Sequence, residues 1–200
     1  MEILDWSYEK AITGVAGLDS AYELAEGYID KDGTKYEQIG SLIRWQNTKS
    51  GLSGVVTGIG GLATMPIALP ANITSVLFVQ IRMIAAIAHI GGYNLKDDKV
   101  KTMIYACMLG SSGKELIKNT GIQVGKKLAT NAIKNISGKT LTKINQKVGF
   151  RLITKFGEKG VINLGKTLPI LGGVIGGTVD TITTNTIGNT ARSIFIQEKQ

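Results

Sequence analysis

Cysteine, histidine and proline are nearly missing from this chain. Its 200 residues hold one cysteine, one histidine and three prolines. With Cys107 alone, no intramolecular disulfide can form, so nothing covalent staples the fold. With His89 alone, no cluster has metal-ligand spacing, and neither a metal nor another cofactor is expected. A Cys107–His89 nucleophile pair would need a third group to orient it. The plainer reading is a small buried cysteine and a histidine that ends its helix. Aromatics are only 6% of the chain, and from residue 99 onward they are Tyr105, Phe150, Phe156 and Phe195. Nucleic-acid surfaces interleave aromatics with cations to stack bases, so specific nucleic-acid binding is not expected.

Charge is also missing locally. No charged residue falls between Lys49 and Arg82, the longest such gap in the chain. What surrounds that gap is lopsided. Residues 1–50 carry 9 acids against 5 bases, whereas residues 99–200 carry 16 bases against 4 acids. A C-terminal half this basic is either a solvated lysine surface or one that faces anionic lipid, nucleic acid or an acidic partner. The start, MEILDW, is acidic and lacks the basic flank and apolar core of a secretory signal, so a reducing, cytoplasmic location is expected.

What the chain has in quantity is glycine, at 26 residues, within a composition that is 43% hydrophobic. That combination excludes a disordered chain and points to close backbone packing. Periodicity and capping residues are helical throughout. Asp5 or Ser7 is placed to cap a first helix that runs to about Ile29, with a break near Gly17. Thr34 and Glu37 have capping-box spacing, ahead of an apolar face at Tyr36, Ile39 and Ile43. Pro70 suits the first turn of a helix ANITSVLFVQIRMIAAIAHI, which Gly91-Gly92 closes. Asp97 or Asp98 then caps KVKTMIYACMLG, with Gly110 as its stop. Two lysine-rich amphipathic segments follow, roughly 114–135 and 139–156, the second with an apolar stripe of Leu141, Ile144, Val148 and Leu152. A last helix covers about 168–196.

The expected fold is therefore all-α: a compact, glycine-rich bundle of about seven or eight helices around a very apolar central helix. A single domain spans residues 1–200, with acidic amphipathic helices over 1–50 and a glycine-rich core with basic helices over 51–200. Gly54 with Gly58, Gly172 with Gly176, and Gly173 with Gly177 sit at the spacing that lets helices approach closely. The helix over 71–90 is long enough to span a bilayer, but Arg82 near its middle makes that costly. Three readings remain: a buried core helix, conditional insertion, or a constitutive span. An isolated Arg82 needs a carboxylate or strong acceptors if it is buried, and Asp180 is the candidate partner. Otherwise Arg82 snorkels to the surface.

Residues 160–167, GVINLGKT, spell the P-loop pattern around Lys166. A working P-loop needs a strand leading in, a helix starting at the lysine, and a downstream acid to help hold Mg²⁺. FRLITKF ahead of it prefers a helix, and only short sequence follows. The plainer reading is a glycine turn just ahead of the last helix.

Several stretches together resemble one family. LIRWQ (42–46), TGIGGLATMPIALP (57–70), VQIRMIAAIAHIGGY (79–93), KINQKVGFRLITKFGEKGVINLGK (143–166) and PxxGGxxGGxxD (169–180) are similar to the EcsC family of bacterial proteins, from about Trp6 to Phe195. The resemblance implies an all-helical, glycine-rich domain with a membrane connection, since the family is named for an operon that encodes an ABC transporter linked to secretion. It implies no catalytic residues. The family pattern keeps glycine-lysine at 165–166 and proline at 169 without requiring threonine at 167, so the P-loop spelling looks incidental.

The expected function is a non-enzymatic helical interaction module, peripheral to the cytoplasmic face of a membrane or to a transport or secretion system there. The alternatives are a membrane-inserting toxin or effector and, behind it, a nucleotide hydrolase using Lys166. The expected partner is an anionic membrane surface or a membrane protein, and an oligomer on the membrane is compatible with this. The cations expected to meet it are Lys126, Lys127, Lys134, Lys143, Lys147, Arg151, Lys155 and Lys166.

Overall fold

The computed structural model describes residues 2–15, 17–51, 71–119, 121, 133, 135–156 and 174–196. Eight helices lie among them: α1 (Glu2–Thr13), α2 (Ala21–Ile29), α3 (Lys35–Gly51), α4 (Ala71–Ile90), α5 (Asp98–Cys107), α6 (Ser111–Lys118), α7 (Gly138–Phe156) and α8 (Val174–Phe195). No strand occurs among the described residues; an isolated bridge between Val15 and Leu18 is the only extended pairing there. The all-α expectation holds.

The N-terminal segment departs from the sequence reading. α1 already begins at Glu2, so neither Asp5 nor Ser7 caps it. Asp5 instead accepts from Tyr105, and Ser7 is fully buried. Gly14 ends α1 with a φ of 81° and an amide donated to the Lys10 carbonyl. Gly17 repeats the left-handed conformation, so no single helix runs to Ile29. α2 restarts with its own capping box. The Ser20 hydroxyl accepts from the Glu23 amide at 3.2 Å, and the Glu23 carboxylate accepts from the Ser20 amide at 2.8 Å.

The other boundaries follow the sequence. The Glu37 carboxylate accepts from the amide and hydroxyl of Thr34, closing the box that opens α3. Asp97 caps α5 by accepting from the Lys99 amide at 2.8 Å. α4 ends in a Schellman motif: Gly92, at a φ of 86°, donates to the His89 carbonyl, and Tyr93 donates to that of Ala88. α6 stops at Lys118, where Asn119 caps it, and most of the rest of the first lysine-rich segment lies outside the described residues.

α4 is the centre of the bundle. α1, α2 and α8 pack along it, with α3 and α5 at further contacts. From Leu77 to Ala88 nearly every side chain is buried, which resolves the all-round apolar pattern as a core helix in this fold. Among the described residues no helix is long and apolar enough to cross a membrane. α7 packs on α5, and α8 also lies along α3.

Two glycines that the spacing did not single out admit close approach. A β-carbon on Gly113 would stand 1.9 Å from the Ala106 carbonyl oxygen, so only glycine lets α6 fold back against the end of α5. On Gly188 it would stand 2.9 Å from Ile43, where α8 presses on α3. Gly54, Gly58, Gly172 and Gly173 lie outside the described residues, and Gly176 and Gly177 fall at the start of α8.

Candidate anionic-surface site

α7 carries the chemistry that the sequence assigned to the basic half. Ser137 opens it by accepting from the Thr140 amide at 3.2 Å, and Thr142 bonds back to the Gly138 carbonyl. The helix has two faces because its apolar residues recur at three and four. Ile144 and Val148 are fully buried, and Leu141 packs against the core beside them. The stripe thus docks α7 on α5 as its spacing predicts; the Leu152 side chain lies outside the described residues.

The opposite face is cationic. Lys139, Lys143 and Lys147 follow one another at four-residue intervals and are all exposed. Phe150, three residues further on, is 69% exposed and continues the same face. At 1.5 Å per residue the row from Lys139 to Phe150 runs about 16 Å. α7 contains no acidic residue, so no carboxylate within the helix neutralises this row. The face thus sets one exposed aromatic ring in line with three ammonium groups.

Of the eight cations singled out from the sequence, Lys143 and Lys147 are on this face. Arg151 and Lys155 continue α7, but their side chains lie outside the described residues. Lys126, Lys127, Lys134 and Lys166 lie outside them altogether, and with Lys166 the whole GVINLGKT segment. The sequence reading missed Lys139 and gave Phe150 no role. The four-residue lysine spacing was the signal for the first, whereas the exposure of Phe150 depends on which face α5 covers.

The buried Arg82 is 4% exposed, so it does not snorkel. Its Nη1 donates to the Asp19 backbone carbonyl at 2.9 Å, and its guanidinium lies 5.7 Å from the Phe78 ring. Burial pulls its pKa down, and the charge of Asp19 pushes back. The side chain of Asp180 lies outside the described residues. Arg82 thus binds the break between α1 and α2 to the central helix.

Cys107 is fully buried, and burial pushes its thiol pKa far up, which holds it protonated and unreactive. His89 sits in the last turn of α4, where its ring meets Tyr22 edge-on at 4.9 Å. Among the described residues no three His, Cys, Asp or Glu side chains are grouped to hold a metal ion. An open groove of about 650 Å³ lies between α1 and the start of α5, with Trp6, Glu9, Leu95 and Asp98 on its walls. Its floor is already paired: Lys101 contacts Asp5 at 2.6 Å, and Tyr105 donates to the same carboxylate.

The EcsC protein family model matches residues 12–196, from the end of α1 to the residue after α8. The chain belongs to the EcsC family. No curated protein and no solved structure matches it. The family label covers the bundle that α4 organises and the outer helix α7 alike.

Proposed function

We propose that this EcsC protein is a non-enzymatic helical module that docks peripherally on an anionic membrane surface through the outward face of α7. The observation that carries the reading is Phe150, 69% exposed in line with Lys139, Lys143 and Lys147. Lysines near an anionic bilayer contribute about 1 kcal/mol each, and an adjoining aromatic enters the headgroup region. α7 keeps its apolar side on α5, so what it offers a bilayer is the lysine row and the Phe150 ring. The cytoplasmic leaflet is the anionic surface this chemistry fits.

Vesicle flotation tests the reading. Protein should float with vesicles containing phosphatidylglycerol and stay behind with phosphatidylcholine alone. Equal recovery with both removes the electrostatic mechanism.

The insertion alternative asks more of the fold. α4 would have to leave the helices α1, α2 and α8 that cover it and carry Arg82 with it. Dye release from vesicles across a pH range separates the two: docking on α7 leaves the vesicles sealed.

A further inference from the structure

We infer that Arg44 and Arg192 form a binding site for an organic phosphate over Gly40, on the surface shared by α3 and α8. The two guanidinium groups reach the same place from different helices. Each Nη1 lies 3.4 Å from the point where a β-carbon on Gly40 would stand. The glycine leaves that point empty, and the two groups converge on it.

Each arginine is anchored by its other end. Arg192 donates through Nη2 to Asn189 Oδ1 at 2.7 Å, and its guanidinium lies 4.0 Å from the Tyr36 ring centre. Arg44 donates through Nη2 to the Ser41 hydroxyl at 2.8 Å. These partners are neutral. Neither guanidinium has a carboxylate partner among the described residues. The one acid on α3, Glu37, is engaged at the helix start by Thr34, and the one acid on α8, Asp180, is twelve residues before Arg192, about 18 Å along the helix. Two cations held side by side without an anion repel each other, and a phosphate between them replaces repulsion with charge-assisted hydrogen bonds.

The surroundings indicate what hangs from the phosphate. Arg44 also lines an open groove of about 530 Å³ with Ser41, Trp45, Thr48, Tyr28 and Lys31. Trp45 is 51% exposed, and Lys31 stands over the Tyr28 ring at 3.8 Å. A phosphate monoester seated at Gly40 would lay its organic part along Trp45, with Lys31 at the far end for further negative charge. A lipid headgroup and a soluble phosphate ester share this chemistry. The site stands without the α7 reading, because no residue of α7 takes part.

Calorimetric titration tests it with inorganic phosphate and with glycerol 3-phosphate, alongside flotation with vesicles of phosphatidylcholine and phosphatidic acid. Arg44 is exposed and makes one side-chain bond, so Arg44→Gln should melt with the unaltered protein. It should weaken binding at least about tenfold, as should Arg44→Lys, which keeps the charge but loses the planar fork. Lys143→Gln/Lys147→Gln should leave the titration unchanged. Arg44-dependent binding of the free esters identifies a soluble ligand. The same dependence seen only with vesicles identifies a headgroup. Binding that is equal in Arg44→Lys and the unaltered protein would show a general positive field and overturn the site. So would the absence of Arg44-dependent binding in every arm. Loss of vesicle binding in the α7 double variant, with the titration intact, separates the two surfaces.

Discussion

The Arg82 guanidinium donates to the backbone carbonyl of Asp19 across 2.9 Å, so the central helix holds the α1–α2 break by a main-chain atom. Arg82→Ala removes the donor, leaves that carbonyl without it, and empties a site that is 4% exposed. The expected loss is about 2–4 kcal/mol of unfolding free energy. Asp19→Ala keeps the carbonyl, and because Asp19 is exposed it should cost under about 0.5 kcal/mol. Denaturant unfolding of both variants checks this. Equal losses would place the anchor on the Asp19 carboxylate instead. Asp180→Asn, melted beside them, reads out the acidic partner proposed from sequence: a loss as large as that of Arg82→Ala identifies Asp180 as a second partner.

Two glycine substitutions should differ in whether they can be rescued. At Gly113 a methyl group meets the Ala106 carbonyl oxygen at 1.9 Å, a backbone atom that cannot step aside without unpacking α6 from α5. Gly113→Ala should cost upwards of about 3 kcal/mol, and no single side-chain trimming should restore it. At Gly188 the nearest atoms to the methyl all belong to the Ile43 side chain, at 2.9 to 3.2 Å. Gly188→Ala should cost about 1–3 kcal/mol, and Ile43→Ala in the same chain, which removes all three of the contacting carbons, should recover part of that through favourable coupling. A double-mutant cycle with no coupling would mean that α8 shifts bodily instead.

Alkaline stability should report on Tyr8 and Tyr105. Their rings meet edge-on at 5.8 Å, Tyr8 donates to the Leu95 carbonyl at 2.6 Å, and Tyr105 donates to Asp5. Burial raises both phenol pKa values well above the usual 10.0, and the nearby acids raise them further. Below pH 10 the phenols are protonated in the folded and unfolded chain alike, so their contribution is complete. Above about pH 10 the unfolded chain releases protons that the folded chain keeps, and stability falls as pH rises. Cys107, whose thiol is raised by burial, acts with the same sign from its ordinary value of 9.0, so the comparison belongs in a Cys107→Ala background. There, Tyr8→Phe should flatten the decline between about pH 10 and 12 in urea unfolding. An unchanged slope would mean that Tyr8 ionises freely in the folded chain.

Local signals in the sequence carried much of this fold. Thr34 with Glu37, Asp97 with Lys99, and Gly91-Gly92 are caps whose partners lie within a few residues, so their spacing suffices. The break near Gly17 was legible as well, and the same logic was available at Ser20 and Glu23, a capping box that would have placed the start of α2. Gly113 and Gly188 were hidden because what they touch, Ala106 and Ile43, is brought there by folding. Lys143 and Lys147 were legible as a basic helical face. Arg44 and Arg192 were not, because they belong to different helices at opposite ends of the chain and meet only where α8 lies along α3.

The outward face of α7 makes the last prediction, since its two chemistries respond differently to salt. Lys143 and Lys147 act through charge, and Phe150, at 69% exposure, acts through burial of its ring. Lys143→Gln/Lys147→Gln should lower partitioning to phosphatidylglycerol vesicles by about 2 kcal/mol at low ionic strength, and the deficit should shrink as salt screens the remaining attraction. Phe150→Ala should lower partitioning by about 1–3 kcal/mol at every salt concentration, because removing a ring from water does not depend on the ionic atmosphere. Neither variant alters the buried side of the helix, where Ile144 and Val148 hold α7 to α5, so both should melt with the unaltered protein. Flotation over a salt series reads both. Parallel salt curves for the two variants would mean that lysines and ring do not act on one surface, and α7 would lose its place as the docking face.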